Sequence, residues 1–217
     1  MVRFDREEYK EAAVALWNEA FGDSEEYIRF FHANHDRCTC LTLCESDELQ
    51  SALYLIDGEL CGEKGYYLFA AATFKKYRGK GSMAHLLKEA ERFAVQNGKS
   101  FIALVPAEPS LFGYYSRFGY KTAFYAEKVP IDAPVKTVTC DKFIWCNEHI
   151  GYIEKEHLRY GTELARRDGE LFSVFDGGYV KLPAIKSEEY RYGMLLPLDE
   201  KAQSLTEINA YIGLTME

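Results

Sequence analysis

Residues that could bind an anion are concentrated in one short segment, Arg78-Gly79-Lys80-Gly81-Ser82. Gly79 and Gly81 have no side chain to hold a phosphate away from the backbone N–H groups. Arg78 and Lys80 add full positive charges, and two further lysines lie just upstream. If a helix begins here, its first turn adds unpaired N–H groups and a partial positive charge. We interpret the segment as a pyrophosphate-binding turn. The alternative is a tight strand-to-helix turn whose basic residues merely face water.

The flanking sequence predicts the elements that must position this turn. Residues 66–74 are apolar and aromatic without a helical period, which is typical of a buried strand. From Met83 to Ala94 apolar residues recur every three or four positions, which places one apolar stripe on a helix. Asn97-Gly98 predicts the end of that helix, and the apolar run 101–105 predicts the next strand. A right-handed strand–helix–strand crossover is therefore expected.

Two other phosphate-binding patterns can be compared with the same segment. Residues 79–84 satisfy the dinucleotide pattern G-x-G-x-x-G/A. That pattern also requires an acidic residue about 20 positions further on. The nearest candidate, Glu108, comes late, and no further alternating strand–helix units follow it. A Walker A loop, G-x-x-x-x-G-K-[ST], does not occur in the sequence. Dinucleotide binding is therefore a minor alternative.

A second motif, Tyr115-Ser116-Arg117-Phe118-Gly119-Tyr120, follows the second predicted strand. The pairing of the two motifs at this spacing resembles the GNAT superfamily of N-acetyltransferases over residues 1–130. The phosphate loop of that family reads [QR]-x-x-G-x-[GA], which places Arg78 first, Gly81 fourth and Met83 sixth. Met83 departs from the small residue expected there, although its backbone N–H can still donate a hydrogen bond.

The resemblance implies a cofactor, acetyl-CoA, and no metal. In the family the cofactor lies in a V-shaped gap between two parallel strands, here 66–74 and 101–105. Its pantetheine arm hydrogen-bonds to the backbone of the first strand. The cofactor-binding residues implied in this sequence are Ala71, Ala72, Thr73, Arg78, Gly79, Lys80, Gly81, Ser82, Met83 and Ala84. A longer acyl-CoA donor stays open as an alternative.

The resemblance also implies a reaction, transfer of the acetyl group to a primary amine by direct attack, and a proton donor. Tyr115 matches the family tyrosine that protonates the departing CoA thiolate. A tyrosine pKa near ~10 lies above a thiol pKa near ~8.5, so Tyr115 would release its proton only as the sulfur anion develops. Without the resemblance, Tyr115 would be interpreted as a core aromatic residue.

Direct attack requires a neutral amine and therefore a proton acceptor. Glu63, just before the central strand, is the candidate for this role. The C-terminal carboxylate at Glu217 is a second candidate, because relatives of the intracellular-survival type use their own C-terminus. The first two helices border the acceptor site in the family. Tyr27, Phe31 and His35 are therefore candidates for the substrate pocket; the alternative is that they are core residues.

The predicted fold class is α/β, with a mixed α+β sheet: a GNAT-like acyl-CoA N-acyltransferase fold with a small C-terminal α+β annex. The expected order is strand, two helices, three strands, helix, strand, helix, strand. Local signals mark several boundaries. The predicted caps are Asp5 for the first helix, Ser24 for the second and Ser110 for a short helix at 111–118, and Asp57-Gly58 is a predicted hairpin turn.

Domain organisation is predicted as residues 1–130, an acetyltransferase domain, and residues 131–217, the annex. The annex is expected to contain a strand near 142–146, a helix near 152–167, a hairpin of 171–175 and 179–182, and a last strand at 210–215. One interpretation is a reduced second GNAT-like half, silent because no phosphate loop recurs there. The alternative is a cover over the acceptor channel or a homodimer face.

Composition and charge limit the classes of partner and the cellular location that can be expected for the protein. The net charge of −8 and the pI near 5.3 argue against a nucleic-acid partner. No apolar segment reaches the ~18 residues of a membrane span, and the N-terminus is too charged for a signal peptide, so a cytoplasmic location is expected. Six cysteines are expected to be free thiols. The segment Cys38-Thr39-Cys40 lacks the paired C-x-x-C of zinc sites, which favours small strand residues over metal ligands.

These observations lead to a first hypothesis and an alternative from another class. The first is an acetyl-CoA-dependent N-acetyltransferase acting on a small-molecule or peptide amine. The alternative is a catalytically silent CoA-binding module with a regulatory role. The identity of the amine is not encoded in any motif of the sequence.

Overall fold

The computed structural model describes residues 1–5, 7–34, 38–129, 136–140, 142–145, 151–154, 162–167, 170–175, 178–181 and 184–207 of the chain. The strands described are β1 (Val2–Phe4), β2 (Cys38–Glu45), β3 (Glu48–Leu60), β4 (Glu63–Thr73), β5 (Phe101–Leu104), β6 (Lys121–Tyr125), β7 (Glu127–Val129), β8 (Lys136–Cys140), β9 (Lys142–Trp145), β10 (Gly151–Glu154), β11 (Thr162–Arg167), β12 (Glu170–Phe175), β13 (Gly178–Lys181) and β14 (Arg191–Pro197). The helices described are α1 (Lys10–Phe21), α2 (Glu25–Asn34), α3 (Ser82–Gln96), α4 (Ser110–Ser116) and α5 (Glu200–Leu205).

The main sheet has the strand order β1-β2-β3-β4-β5-β14-β6, with β10 pairing with β3 and with β9. Its described pairs are antiparallel except for β4 and β5, which are parallel. A parallel pair requires a crossover connection, and α3 provides it. The mixed α/β sheet and the strand–turn–helix–strand unit predicted from the sequence are confirmed. A second, antiparallel sheet has the order β7-β13-β12-β11-β8.

Helices cover both faces of the main sheet. On one face, Trp17 of α1 and Phe31 of α2 pack in one cluster with Tyr54 of β3. On the other face, Leu86 of α3 packs in a second cluster with Leu53, the neighbour of Tyr54 in β3. Adjacent strand residues point to opposite faces, so β3 serves both clusters and is almost fully buried. Each large apolar side chain buried in this way contributes about 1.5–3 kcal/mol.

The start of the first helix differs from the prediction. Asp5 does not cap it; the Asp5 carboxylate instead accepts a hydrogen bond from the Cys40 N–H at 2.7 Å and so ties the end of β1 to β2. A 3₁₀ turn at Glu7–Tyr9 precedes α1. Ser24 does cap α2, since its Oγ accepts a hydrogen bond from the Tyr27 N–H at 3.2 Å.

The hairpin between β3 and β4 also turns at a different place. Asp57-Gly58 lie within β3, and the two-residue turn is Cys61-Gly62, with φ angles of 53° and 82°. Positive φ at both central residues matches the right-handed twist of the flanking strands. Asp57 is instead used in an ion pair with Lys99, which fixes the chain after α3 to the side of β3.

The predicted helix near residues 152–167 is wrong, because β10 and β11 occupy its two ends. β11 pairs on both sides, with β8 and with β12, and this pairing outweighs the local helical pattern. The hairpin of β12 and β13 and the strand β9 are confirmed. The strand predicted at 210–215 lies outside the described residues.

Strand β14 was not predicted, and it completes the main sheet. It lies between β5 and β6, although it comes much later in the chain than either. Met194 and Leu195 are fully buried there. The two ends of the connection between β6 and β14 lie next to each other, because the Ala126 N–H donates to the Tyr190 carbonyl at 2.9 Å. The domain boundary after residue 130 stays a prediction; β14 itself belongs to the main sheet.

Candidate cofactor and acceptor site

A gap opens between the parallel strands β4 and β5. The two strands pair at Gly65↔Phe101, Tyr66↔Ile102 and Tyr67↔Ala103, and pairing stops there although β4 continues to Thr73. At the base of the gap the strands approach closely. A Cβ atom on Gly65 would lie 2.4 Å from the Phe101 ring, so only glycine fits at that position.

A bulge in β4 turns its second half away from β5. The register with β3 shifts between Tyr54↔Phe69 and Ala52↔Ala72, so that β4 has one more residue than β3 in this interval. Ala70 lies in the bulge with a φ of 45°, a left-handed conformation that costs roughly 1–3 kcal/mol for a residue with a Cβ. Bulges of this kind bend a strand and redirect its side chains.

The gap forms a cavity of about 360 Å³. Its walls come from β4, from the end of β5 and the chain after it, from α4, and from the end of α1. The lining residues are Trp17, Phe21, Asp23, Tyr67, Leu68, Phe69, Ala70, Ala71, Leu104, Val105, Ala107, Leu111 and Tyr115. The parted strands that the resemblance implies are therefore present, and residues of both strands line the gap between them.

The turn after β4 exposes backbone donors beyond the same end of the strand. Gly79 and Gly81 have φ angles of 77° and 84°, and a Cβ on either would meet no atom within 4 Å, so the approach to the backbone is open. The His85 N–H donates to the Gly81 carbonyl at 3.0 Å and opens the hydrogen-bond ladder of α3. The N–H groups of residues 82–84 therefore have no acceptor within the helix. Such a turn fits a diphosphate.

One of the four cations near the turn is engaged elsewhere, since the Lys76 ammonium pairs with Glu48. Lys75 donates to Glu19 from its backbone N–H at 2.9 Å, a bond that does not use its ammonium group. Among the described residues neither Arg78 nor Lys80 forms an ion pair. Arg78 donates from Nε to the Thr73 carbonyl at 3.1 Å, which leaves the rest of its guanidinium available.

Other predicted cofactor residues have structural contacts of their own. The Ser82 hydroxyl donates to Gln50 at 2.9 Å, so only its backbone N–H is available to a ligand. Met83 is partly buried, and its side chain packs against the core cluster beneath α3. Thr73 bonds to Ser51 through the two hydroxyls at 2.8 Å. Of residues 71–73, Ala71 alone is among those that line the cavity, and Ala72 is buried.

Tyr115 lies in the cavity wall, near the C-terminal end of α4. Tyr115 is 8% exposed, and its ring lies edge-on to the rings of Tyr114 and Tyr120, with centroid distances of 5.4 and 5.6 Å. Burial raises the pKa of Tyr115 above its usual value, so its hydroxyl is protonated at neutral pH. The predicted Ser110 cap is wrong: Pro109 is the N-cap, and the Ser110 hydroxyl donates to Glu108 instead.

A family profile described as an acetyltransferase (GNAT) domain matches residues 1–123 of the chain. The chain belongs to the GNAT acetyltransferase family. The profile ends before β14, one of the strands that were not predicted from the sequence.

Solved structures with this fold agree with the assignment. A GNAT family N-acetyltransferase from Escherichia coli, solved in complex with CoA, is 12% identical, with a TM-score of 0.55 over 98% of this chain and 87% of that one. A GCN5-related N-acetyltransferase from Kribbella flavida is 14% identical, with a TM-score of 0.52 over 92% and 72% of the two chains. A probable N-acyltransferase from Enterococcus faecalis V583 is 17% identical, with a TM-score of 0.52 over 64% of this chain but 39% of that one. At such identities the likeness shows the fold alone. No curated protein matches the chain in sequence.

Glu63 does not line the cavity between β4 and β5. Glu63 begins β4 and accepts a hydrogen bond from the Ser100 hydroxyl at 3.0 Å. It precedes Tyr67, the first lining residue of the strand, by four positions, which is about 13 Å along an extended chain. The proton acceptor proposed from the sequence therefore lies at the far end of the strand. The other candidate, Glu217, is outside the described residues.

Neither of the two predicted substrate residues that the structure describes, Tyr27 and Phe31, lines the cavity between β4 and β5. Phe31 is 1% exposed and borders a smaller cavity of about 160 Å³ between α1, α2 and β2. Tyr27 packs edge-on to Trp17 with a centroid distance of 6.3 Å and is not among the residues that line the larger cavity. His35 lies outside the described residues.

One cavity residue of the GNAT domain was not singled out from the sequence. Asp23 lies in the turn between α1 and α2 and lines the larger cavity. Trp17 donates from Nε1 to Asp23 Oδ2 at 2.6 Å, and Asn18 donates from Nδ2 to the Asp23 carbonyl at 2.8 Å. The signal available was the break Gly22-Asp23-Ser24 between two helices that border the acceptor site in the family.

None of the described helices is long and apolar enough to cross a membrane.

Proposed function

We propose that the protein transfers the acetyl group of acetyl-CoA to a primary amine. The observation that carries this proposal is the arrangement of three features around one gap. These are the parted strands β4 and β5, the donor-rich start of α3 beyond the end of β4, and a buried, protonated Tyr115 in the wall. The solved relative from Escherichia coli in complex with CoA supports the choice of cofactor.

Binding would use the backbone more than side chains. The N–H groups of Ser82, Met83 and Ala84 would hold the diphosphate, with Arg78 and Lys80 adding charge. The backbone around Ala71 would hold the pantetheine arm. Acetyl-CoA supplies an acyl group activated as a thioester. The Ser82 hydroxyl would not donate to the diphosphate, because it already donates its hydrogen bond to Gln50.

Tyr115 would act as the proton donor. As the C–S bond breaks, the Tyr115 hydroxyl would give its proton to the sulfur and then recover one from solvent. The neutral amine nitrogen would form the new C–N bond and lose one proton to solvent. Burial keeps Tyr115 protonated until negative charge develops beside it. No role is assigned to Glu63, which lies away from the cavity.

Turnover and cofactor binding test this proposal separately. Acetyl-CoA, the protein and a panel of amines are mixed, and free CoA is followed with a thiol reagent. Tyr115→Phe should lower kcat about 100-fold or more, the usual contribution of a general acid. Its affinity for CoA, measured by titration calorimetry, should stay within about twofold because no donor to the diphosphate changes. The matched control is Tyr114→Phe, which removes a hydroxyl outside the cavity and should leave both quantities unchanged.

Two results would contradict the proposal. Wild-type protein that binds CoA but acetylates no amine in a broad panel would instead be a CoA-binding module. Protein that binds no CoA at all would remove the assigned role of the α3 start. A Tyr115→Phe variant with unchanged kcat would leave acetyl transfer intact and remove the proton-donor role.

A further inference from the structure

As far as the structure describes it, the wall of the cavity between β4 and β5 contains a single carboxylate and is otherwise uncharged. Among the described residues that line it, Asp23 alone carries a charge. It is half-buried in the turn between α1 and α2, and Tyr115 lines the same cavity. A carboxylate in such a place attracts a cation, because the partly dry wall strengthens the interaction compared with water.

Asp23 is held in place by contacts from α1. The Trp17 indole donates to Oδ2 at 2.6 Å, and Asn18 fixes the Asp23 backbone carbonyl at 2.8 Å. Trp17 is itself immobilised, since it is 2% exposed and packs against the rings of Phe31 and Tyr54 at centroid distances of 5.1 Å each. In the part of the chain that the structure describes, Oδ1 of Asp23 has no hydrogen-bond or ion-pair partner.

The rest of the wall favours an apolar stem next to the charge. Trp17, Phe21, Tyr67 and Phe69 line the cavity beside Asp23. Aromatic faces attract ammonium groups and pack against alkyl or aromatic chains. One carboxylate among several rings suits a ligand with one positive charge and an apolar body. It does not suit a polycation, and it repels a second carboxylate such as that of a free amino acid.

We propose that Asp23 is the residue that determines acceptor specificity, and that the acceptor is a monocationic primary amine with an apolar or aromatic stem. This inference rests on the proposed acetyl transfer, which it deepens by naming the substrate class. Asp23 binds the amine as it arrives, in its ammonium form, and the nitrogen then releases a proton to solvent before it attacks as the neutral amine. It is a binding residue, and its removal should therefore affect KM for the amine and leave kcat almost unchanged.

The experiment uses three probes that share one ring and differ in charge: 2-phenylethylamine, neutral 2-phenylethanol and zwitterionic phenylalanine. Wild-type protein should acetylate 2-phenylethylamine at least 10 times more efficiently, as kcat/KM, than phenylalanine. In calorimetry with CoA present it should bind 2-phenylethylamine more tightly than 2-phenylethanol. Wild-type protein that shows no preference in either comparison overturns the proposal without any variant.

The variant Asp23→Asn keeps the size of the side chain and an oxygen that can accept from Trp17. Its KM for 2-phenylethylamine should rise roughly 10- to 100-fold, the range expected for a lost hydrogen bond to a charged group. KM for acetyl-CoA should stay within about twofold, since the diphosphate donors are unchanged. The matched control is Glu26→Gln, an exposed acid on the first turn of α2 that should change neither value. An unchanged KM for the amine in Asp23→Asn overturns the assignment.

Failure of the proposed function would be recognised separately. If wild-type protein acetylates none of the amines, acetyl transfer fails, and the binding measurements then decide about Asp23. Tight binding of 2-phenylethylamine that is lost in Asp23→Asn supports recognition by Asp23. Absence of binding by wild-type protein overturns it.

Discussion

Strand β5 has a different neighbour on each side, and the two neighbours behave differently. On one side β4 pairs with it over residues 65–67 and then departs, leaving a cavity of about 360 Å³. On the other side β14 pairs with it over residues 194–197, along the whole length of β5. We call the side of β5 that faces β4 the open side and the side that pairs with β14 the closed side. The open side is formed by strands that are close in sequence, whereas the closed side is formed by a strand from a distant part of the chain. The binding gap therefore depends on a sheet whose other side is completed by a distant part of the chain.

The largest expected effect on stability is that of removing β14. A chain truncated after Val129 lacks β14, so β5 and β6 lose their common partner and the core loses Met194 and Leu195. Each lost side chain is worth about 1.5–3 kcal/mol, against a total stability of about 5–15 kcal/mol. We expect no cooperative thermal unfolding by circular dichroism.

An internal deletion is the control for that truncation. Replacing residues 127–189 by a short glycine-containing turn keeps β14 and uses the contact between Ala126 and Tyr190. This variant should retain a cooperative transition, although it loses the pairing of β10 with β3 at Glu59. A folded 1–129 fragment would contradict this expectation and would show that the main sheet forms without β14.

Matched leucine truncations should rank the two sides of β5. Leu195→Ala on the closed side removes a fully buried side chain and leaves a void, which costs about 3–4 kcal/mol. Leu68→Ala on the open side enlarges a cavity that already exists, and should cost about 1–2 kcal/mol less. Urea unfolding measures both free energies. Equal losses would contradict the distinction between a sealed and an open side.

The base of the gap can be tested at Gly65. Gly65→Ala places a Cβ 2.4 Å from the Phe101 ring and should lower the free energy of unfolding by about 1–3 kcal/mol. Gly113→Ala is the control, since a Cβ there meets no atom within 4 Å, and alanine in helix α4 should be neutral or stabilising by about 0.5–1 kcal/mol. Two variants of equal stability would mean that the close contact between β4 and β5 is not needed.

A smaller effect should separate the two ends of α3. Gly81 and Gly98 have left-handed φ angles of 84° and 67°, so alanine at either position should cost about 1–2 kcal/mol of stability. Gly81→Ala also places a methyl group at the proposed phosphate site and should weaken CoA binding about 10-fold, or 1.4 kcal/mol. Gly98→Ala should leave CoA affinity unchanged in calorimetry. Equal CoA affinities for both variants would remove the phosphate role of the α3 start.

The smallest expected effect is acid sensitivity at His32, which lines the smaller cavity between α1, α2 and β2. Burial lowers the pKa of His32 to about 4, below the ordinary value of 6.5. Between these values the unfolded chain binds a proton that the folded chain rejects, so stability falls as the pH drops from about 6.5 to about 4. The loss should be roughly 1–2 kcal/mol, because the ring is partly exposed and solvent screens it. His32→Gln should flatten that part of the stability profile in urea unfolding; an unchanged profile would contradict the assignment.

The open side of β5 was largely predictable because its signals are local. The apolar run before the turn, the two glycines and the stop at Asn97-Gly98 each act within a few residues, and Gly98 does adopt the left-handed conformation that its position predicts. The position of Tyr115 followed from a motif at a characteristic spacing. Caps were less predictable. The side chains of Asp5 and Ser110 form hydrogen bonds with other groups. Which groups lie close enough depends on tertiary packing, which a local sequence signal does not contain.

The closed side could not be predicted in the same way. The segment Arg191–Pro197 is a short apolar run, and nothing within it specifies that β5 and β6 are its partners. Asp23 was missed for a similar reason. The residues around it indicate a break between helices, but its place in the cavity wall depends on how Trp17 packs against Tyr54 and the strands beneath.

The late arrival of β14 has a consequence for synthesis on the ribosome. Arg191 follows Tyr125 by 66 residues, which at about 5–20 residues per second is a delay of roughly 3–13 s. During that interval β5 and β6 present bare hydrogen-bonding edges, which are templates for pairing with other chains. The nascent chain thus contains the residues of the ligand gap well before β14 can pair with β5 and β6. We expect its yield in cells to depend on chaperones that cover the exposed edges of these two strands.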